Sequence, residues 1–261
     1  MPEVTDPVAD DVGSDLEARD VAALVASLDS VDLGTADRAR QIARLGGIVA
    51  ARARRAGATA VGSGRFLSDL LVDVVPHIPV RDLDTLISHH RGLTGEALAD
   101  ALVRNSARAT SGIGAVGGVV AAAEWAALPL LITVPFEVVV ETLAVASVEI
   151  KLVGELHAVY GLDVTGTGTH RALAFTSAWA SRRGIDPLRP WTVPSVLGLA
   201  GRQQLRRRMI GRFARNLGTL APFLVGALIA AKLNRSQTLT LATLLRDDLR
   251  ALAGTQPEPQ P

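Results

Sequence analysis

The stretch SGIGAVGGVVAAAEWAALPLLITVPFEVVVETL, Ser111 to Leu143, constrains this chain more than any other part of it. It is mostly Gly, Ala, Val and Leu, so it must be buried, by protein or by lipid. It also spells Gly112-x-Gly114-x-x-Gly117, the spacing of a dinucleotide-binding loop. Such a loop needs a β-strand immediately before it, so that the turn can set pyrophosphate on a helix N-terminus. The residues before Gly112 read ALVRNSARATS, which are polar and helical in period, and no βαβ pattern follows. The glycines are therefore expected to serve packing. On a helix, Gly114-x-x-x-Gly118 lets a second backbone approach closely.

A membrane crossing needs about twenty apolar residues with few charges. Gly112 to Leu131 has the length, but Glu124 lies near its middle, where a carboxylate costs roughly 3 kcal/mol. Pro129 and Pro135 then interrupt the run, and Glu137 and Glu141 follow. A second apolar segment, LGTLAPFLVGALIAA from Leu217 to Ala231, is too short for a span. Arg212 and Arg215 precede it and Lys232 and Arg235 follow it, so loop charge sets no direction. Two small-residue hairpins, buried in protein or shallowly re-entrant in a bilayer, fit these facts better than a clean crossing. Gly114, Gly118 and Gly226 are their helix-packing candidates.

No hairpin-turn signals and no sustained period-2 alternation occur anywhere. The expected fold is all-α, a multi-helix bundle. Residues 1–14 and 254–261 read as disordered tails, the first of them acidic. Residues 15–79 read as an N-terminal helical region and 80–253 as the main helical domain. Expected helices start near Asp15, Thr35, Phe66, Asp82 and Thr94, and a final amphipathic one runs from Thr238 to Ala253.

Charge is strongly blocked along the chain. Residues 1–37 hold ten acids against the single base Arg19, whereas residues 38–65 hold seven arginines and no acid. Residues 171–215 hold ten arginines against Asp186 alone. Only Lys151 and Lys232 are lysine, a skew that a GC-rich genome explains as readily as phosphate binding does. With no cysteine, disulfides, thiolate nucleophiles and Cys-ligated metals are excluded. The N-terminus lacks the basic and apolar regions of a secretory signal, so a cytoplasmic start is expected.

Two features carry candidate function. As one helix, Phe136 to Tyr160 places Glu137, Glu141, Lys151 and Glu155 within about 80° of each other, with Lys151 and Glu155 spaced to pair. Glu149 and His157 lie off that line. This stripe reads either as an ordinary solvent face or as a proton relay or acidic pocket. In the latter case Glu137, Glu141, Glu155 and His157 are the catalytic candidates. No metal site and no cofactor are implied. His89 and His90 point to different sides of a helix, and no nucleophile elbow is present.

The second feature is GRQQLRRRMIGRFARNLGTL. Leu205, Met209, Ile210, Phe213 and Leu217 share one helical face, and Arg207, Arg208, Arg212 and Arg215 share the other, with Arg206 intruding on the apolar side. Together with Arg202 these bases form a basic amphipathic helix suited to an anionic lipid surface. Nucleic acid is the disfavoured rival partner, because the net charge is only +1 and aromatics for base stacking are few.

Three stretches resemble the EcsC family of bacterial proteins, named after a component encoded with an ABC transporter. They are GIGAVGGVVAAAEWAALP (112–129), KLVGELHAVYGLD (151–163) and LAPFLVGALIAAKLNRSQT (220–238). The chain departs from that pattern in the long separation of Pro129 from Tyr160, in Lys151 where arginine is expected, and in Leu-Ile after Gly226. The resemblance implies a helical, membrane-associated protein of undefined biochemical activity, linked to transport or secretion. With the basic helix, the expected location is the cytoplasmic face of the cell membrane, or alternatively the cytoplasm, and the expected partners are anionic lipid with a membrane transporter or a second copy. A helical hydrolase or lipid-handling enzyme and a soluble oligomeric scaffold are the alternatives.

Overall fold

The computed structural model describes residues 7–30, 33–56, 65–127, 134–162, 168–182 and 221–254. Among these residues the fold is all-α, with no strand. The helices are α1 (Pro7–Leu28), α2 (Thr35–Ala56), α3 (Arg65–Val74), α4 (Leu83–His89), α5 (Gly95–Ala127), α6 (Val134–Val159), α7 (Gly168–Arg182) and α8 (Ala221–Ala253). A single 3-10 turn, Val75–His77, follows α3.

The organising element is α6. Apart from its one line of charge and Glu149, its sequence is apolar all round, which is the pattern of a helix enclosed by others. Every residue from Thr142 to Leu156 is buried, and α6 touches each of the other described helices. Around it, α1 contributes Val21, Val25 and Leu28, α2 contributes Leu45 and Val49, and α3 contributes Leu70 and Val74. From α5 come Leu98, Leu102 and Ile113, and from α8 Leu241, Leu245 and Leu249. Buried apolar side chains from Val21 to Leu249 form one cluster, spanning both the N-terminal region and the main domain.

Helix ends follow local chemistry. Asp82 caps α4, its carboxylate accepting the Thr85 amide at 2.8 Å. At the end of α6, Gly161 adopts φ +68°. The Gly161 amide donates to the Ala158 carbonyl at 3.2 Å and the Leu162 amide to the His157 carbonyl at 2.9 Å, a Schellman stop. Helix α5 ends at Ala127, ahead of Pro129, and Pro135 sits in the first turn of α6, where its missing amide is tolerated.

The longest helices, α5 and α8, run antiparallel over about 50 Å each. Thr110 meets Thr238, Gly114 meets Ala230, and Glu96 meets Arg250. Helix α6 begins beside the end of α5, with Gly117 facing Glu141. The first apolar stretch thus forms two packed helices joined at 128–133, as expected of a hairpin.

Two expectations are corrected. Helix α1 starts at Pro7, so residues 7–14, assigned to a disordered tail, continue the helix that was expected from Asp15. The final helix, expected from Thr238, starts earlier: residues 221–231 of the second small-residue segment are the opening turns of α8, which runs on without a break through Thr238 to Ala253. Its polar middle, KLNRSQT, contains no Gly or Pro to stop it. The hydroxyls of Thr240 and Thr243 bond back to carbonyls four residues earlier instead of competing for capping sites.

Candidate functional site

The charged stripe of α6 does not form a solvent face. Lys151 is 5% exposed, Glu155 1%, and Glu149, which lay off the line, 0%. The reason lies in distant partners. The Lys151 ammonium donates to Asp29 at 2.5 Å and sits 2.8 Å from Glu155, one turn on. Arg81, just before α4, grips Glu155 with two hydrogen bonds of 2.7 and 3.1 Å. Asp29, at the end of α1, closes the set 4.0 Å from Arg81. Two acids and two bases balance, which makes burial of the Lys151, Glu155 and Asp29 side chains tolerable, with Arg81 half-buried beside them. Burial pushes the Asp29 carboxyl above its ordinary range, against the opposing pull of Lys151. Its second oxygen is buried without a partner.

A second buried polar group joins α5, α6, α7 and α8. The Trp179 indole donates to one oxygen of Glu149 at 2.9 Å. The Thr238 hydroxyl donates to the other at 2.8 Å, and Thr110 bonds Thr238 at 2.9 Å. One turn earlier on α8, the Asn234 amide donates to Glu141 at 2.8 Å. These contacts fix the register of three long helices, because each buried polar group needs its own partner at hydrogen-bond distance.

Three of the four catalytic candidates, Glu141, Glu155 and His157, are not gathered around one space. Glu141 turns to α8 and Glu155 to Lys151 and Arg81. The half-buried His157 has its Nδ1 2.7 Å from the Val153 carbonyl and its ring 5.4 Å from that of Phe175. Burial lowers the His157 pKa. Glu137 is on α6 one turn before Glu141, and its side chain lies outside the described residues. The two best-formed depressions lie elsewhere. One, of about 620 Å³, is a groove between α1 and α2 lined in part by Ser27, Gln41 and Arg44. The other, of about 300 Å³, is lined by Val75 to Val80 with Ile150, Arg171 and Phe175. Among the described residues no group of three or more His, Asp or Glu is placed to hold a metal ion.

Gly112, Gly114 and Gly117 all lie within α5, preceded by helix and not by a strand, so they form no phosphate loop. Gly114 does what close packing requires: a Cβ there would lie 2.6 Å from the Ala230 carbonyl oxygen and from the Asn234 amide nitrogen. The surroundings of Gly118 and Gly226 lie outside the described residues, and so do Arg202, Arg206, Arg207, Arg208, Arg212 and Arg215 in full. Sequence reasoning missed Asp29, Arg81, Trp179 and the α8 pair Asn234 and Thr238. None of these stood out locally, and the α8 pair was hidden within the polar stretch KLNRSQT.

At the opposite end of the α5–α8 pair sits an exposed clamp. Arg250 binds Glu96 through two hydrogen bonds of 2.8 and 2.7 Å. Arg246 binds Glu96 as well and reaches Asp100 at 2.7 Å. The Tyr160 hydroxyl donates to Glu96 at 2.9 Å. Arg250 foremost, with Arg246 and Tyr160, holds the Glu96 carboxyl well below the usual carboxylate range.

Comparison with known proteins finds no family model, no curated protein and no solved structure that matches the chain.

Proposed function

We propose that this is an EcsC-like, membrane-associated helical protein, a non-enzymatic component linked to transport or secretion, which docks on anionic lipid at the cytoplasmic face of the membrane. One observation supports this reading above the others. The C-terminal end of α5, the N-terminal end of α6 and the N-terminal end of α8 meet at one end of the bundle, and in sequence these are the most apolar parts of the chain. In sequence, the arginine-rich stretch 202–215 shortly precedes Ala221, the first residue of α8. An apolar tip with adjoining bases suits attachment to the surface of a bilayer with phosphate headgroups. Among the described residues no helix is long and apolar enough to cross a membrane, so attachment from one side is the form proposed.

The alternatives find less support. A catalytic pocket would bring Glu141, Glu155 and His157 to one space, and each is engaged with a different neighbour. A scaffold assembled through glycine faces would leave Gly114 free, and α8 of the same chain fills it.

Flotation with vesicles tests the reading. The full chain is expected to float with vesicles of phosphatidylcholine containing phosphatidylglycerol, and less as salt is raised. Replacing Arg207, Arg208, Arg212 and Arg215 together by Gln is expected to weaken flotation at least tenfold. Unchanged flotation of that variant removes the docking helix from the proposal, and no flotation of the parent chain removes the proposal itself.

A further inference from the structure

Bases on the outer side of the α5–α8 pair divide into two groups. At the clamp end, Arg246 and Arg250 are neutralised by Glu96, Asp100 and Asp247. Nearer the apolar tip, Arg104 and Arg108 on α5 and Lys232 and Arg235 on α8 are exposed. None of these four has an acidic partner among the described residues. Asp100, one turn before Arg104 on α5, is taken up by Arg246, and Arg108, Lys232 and Arg235 have no acid three or four residues away on their own helices.

The four also share a side. At about 100° per residue, Arg104 and Arg108 lie roughly 120° and 160° around α5 from Thr110, while Gly117, which faces α6, lies about 20° the other way. On α8, Arg235 and Lys232 lie roughly 60° and 120° around from Thr238, in the same rotational sense. Because the helices are antiparallel, equal rotations away from their contact line carry both sets to the same side, the one turned from α6. Along the axis, the Gly114–Ala230 and Thr110–Thr238 contacts place Arg235 and Lys232 level with residues just beyond Arg108. The four bases thus occupy one strip of about 17 Å, between the neutral clamp and the apolar tip. Beside the strip, Leu228 is 69% exposed.

We propose that this strip is a second docking surface for anionic lipid, formed by Arg104, Arg108, Lys232 and Arg235, and acting with the apolar tip. This deepens the membrane reading given above and rests on it. Four unpaired cations with no interleaved acid fit a plane of phosphates, and the strip borders the end of the bundle proposed to meet lipid. A duplex nucleic acid presents phosphates too, but this strip carries no aromatic side chain and no apolar tip is needed to meet a soluble polyanion.

The test replaces Arg104, Arg108, Lys232 and Arg235 together by Gln in the full chain, with flotation on phosphatidylcholine vesicles containing phosphatidylglycerol. Each base near an anionic surface contributes about fivefold in partitioning, so several hundredfold is the ceiling for four. The expected result is a loss of tenfold or more and a shallower salt dependence. The variant carrying Lys at positions 104, 108 and 235, with Lys232 kept, is expected to float like the parent. Both variants should keep the parent's circular dichroism, since the side chains are exposed. If the Gln variant floats like the parent while the 207–215 variant does not, the strip is overturned and the membrane reading stands. If the parent itself fails to float, both fall. If the Gln change abolishes binding to duplex DNA and leaves flotation intact, the strip belongs to nucleic acid and the proposal is overturned.

Discussion

Lys151 is the residue on which the interior is most sensitive. Its ammonium is held by Asp29 and Glu155 in a space that water does not reach freely. A buried ion pair need not add net stability, but removing one member leaves an uncompensated charge, at about 3–5 kcal/mol. Lys151→Met is expected to lower unfolding stability by that order, read from urea titration. Asp29→Asn added to Lys151→Met leaves the bidentate Arg81–Glu155 pair neutral, and is expected to restore more than half of the loss. Asp29 is the natural partner to remove, because burial already disfavours its charge. A double variant as unstable as the single one would show that the lost contact, not the stranded charge, sets the cost.

Among the elements, α5 and α2 show that identical residues carry opposite meanings. At Gly114 a methyl group would meet the Ala230 carbonyl oxygen at 2.6 Å, and backbone cannot yield as a side chain can. Gly114→Ala is expected to cost about 1–3 kcal/mol, the usual penalty for overpacking. At Gly46 and Gly47 of α2 nothing lies within 4 Å of the added carbon. Gly46→Ala and Gly47→Ala are each expected to stabilise by roughly 0.5–1 kcal/mol, because alanine loses less backbone freedom on forming helix. Thermal unfolding of the three variants checks the signs.

Elements were legible in the sequence wherever composition punctuates the chain. Gly57, Pro76, Pro129 and Gly161 lie beside observed helix ends. They were not legible in α8, where polar residues suggested a break and threonine back-bonding removed the need for one. The charged stripe of α6 was visible as a pattern, but its burial was not. Its partners stand 122 residues away at Asp29 and 74 away at Arg81, and no local periodicity reports contacts of that separation.

For the whole molecule, pH near neutrality acts through His157, while Asp29 and Glu96 respond in the acid range. Burial holds its folded pKa below the ordinary 6.5, so the unfolded chain takes up a proton at higher pH than the folded one. That difference supports the fold fully above 6.5 and is lost as pH falls through the folded value. Stability is expected to decline on going from about pH 7.5 to about pH 5.5, and less steeply in His157→Leu, which cannot protonate. Equal slopes for the two chains would assign the decline to other groups.

Because α6 touches each of the other described helices, the order of synthesis matters. Helices α1 to α5 leave the ribosome before the surface that will cover them exists, and their apolar flanks stay naked until translation passes Val159. At cellular elongation rates that interval is on the order of seconds, long compared with helix formation. Truncations ending ahead of Val134 should therefore be sticky, chaperone-bound fragments, and rapid self-assembly can begin only once α6 arrives.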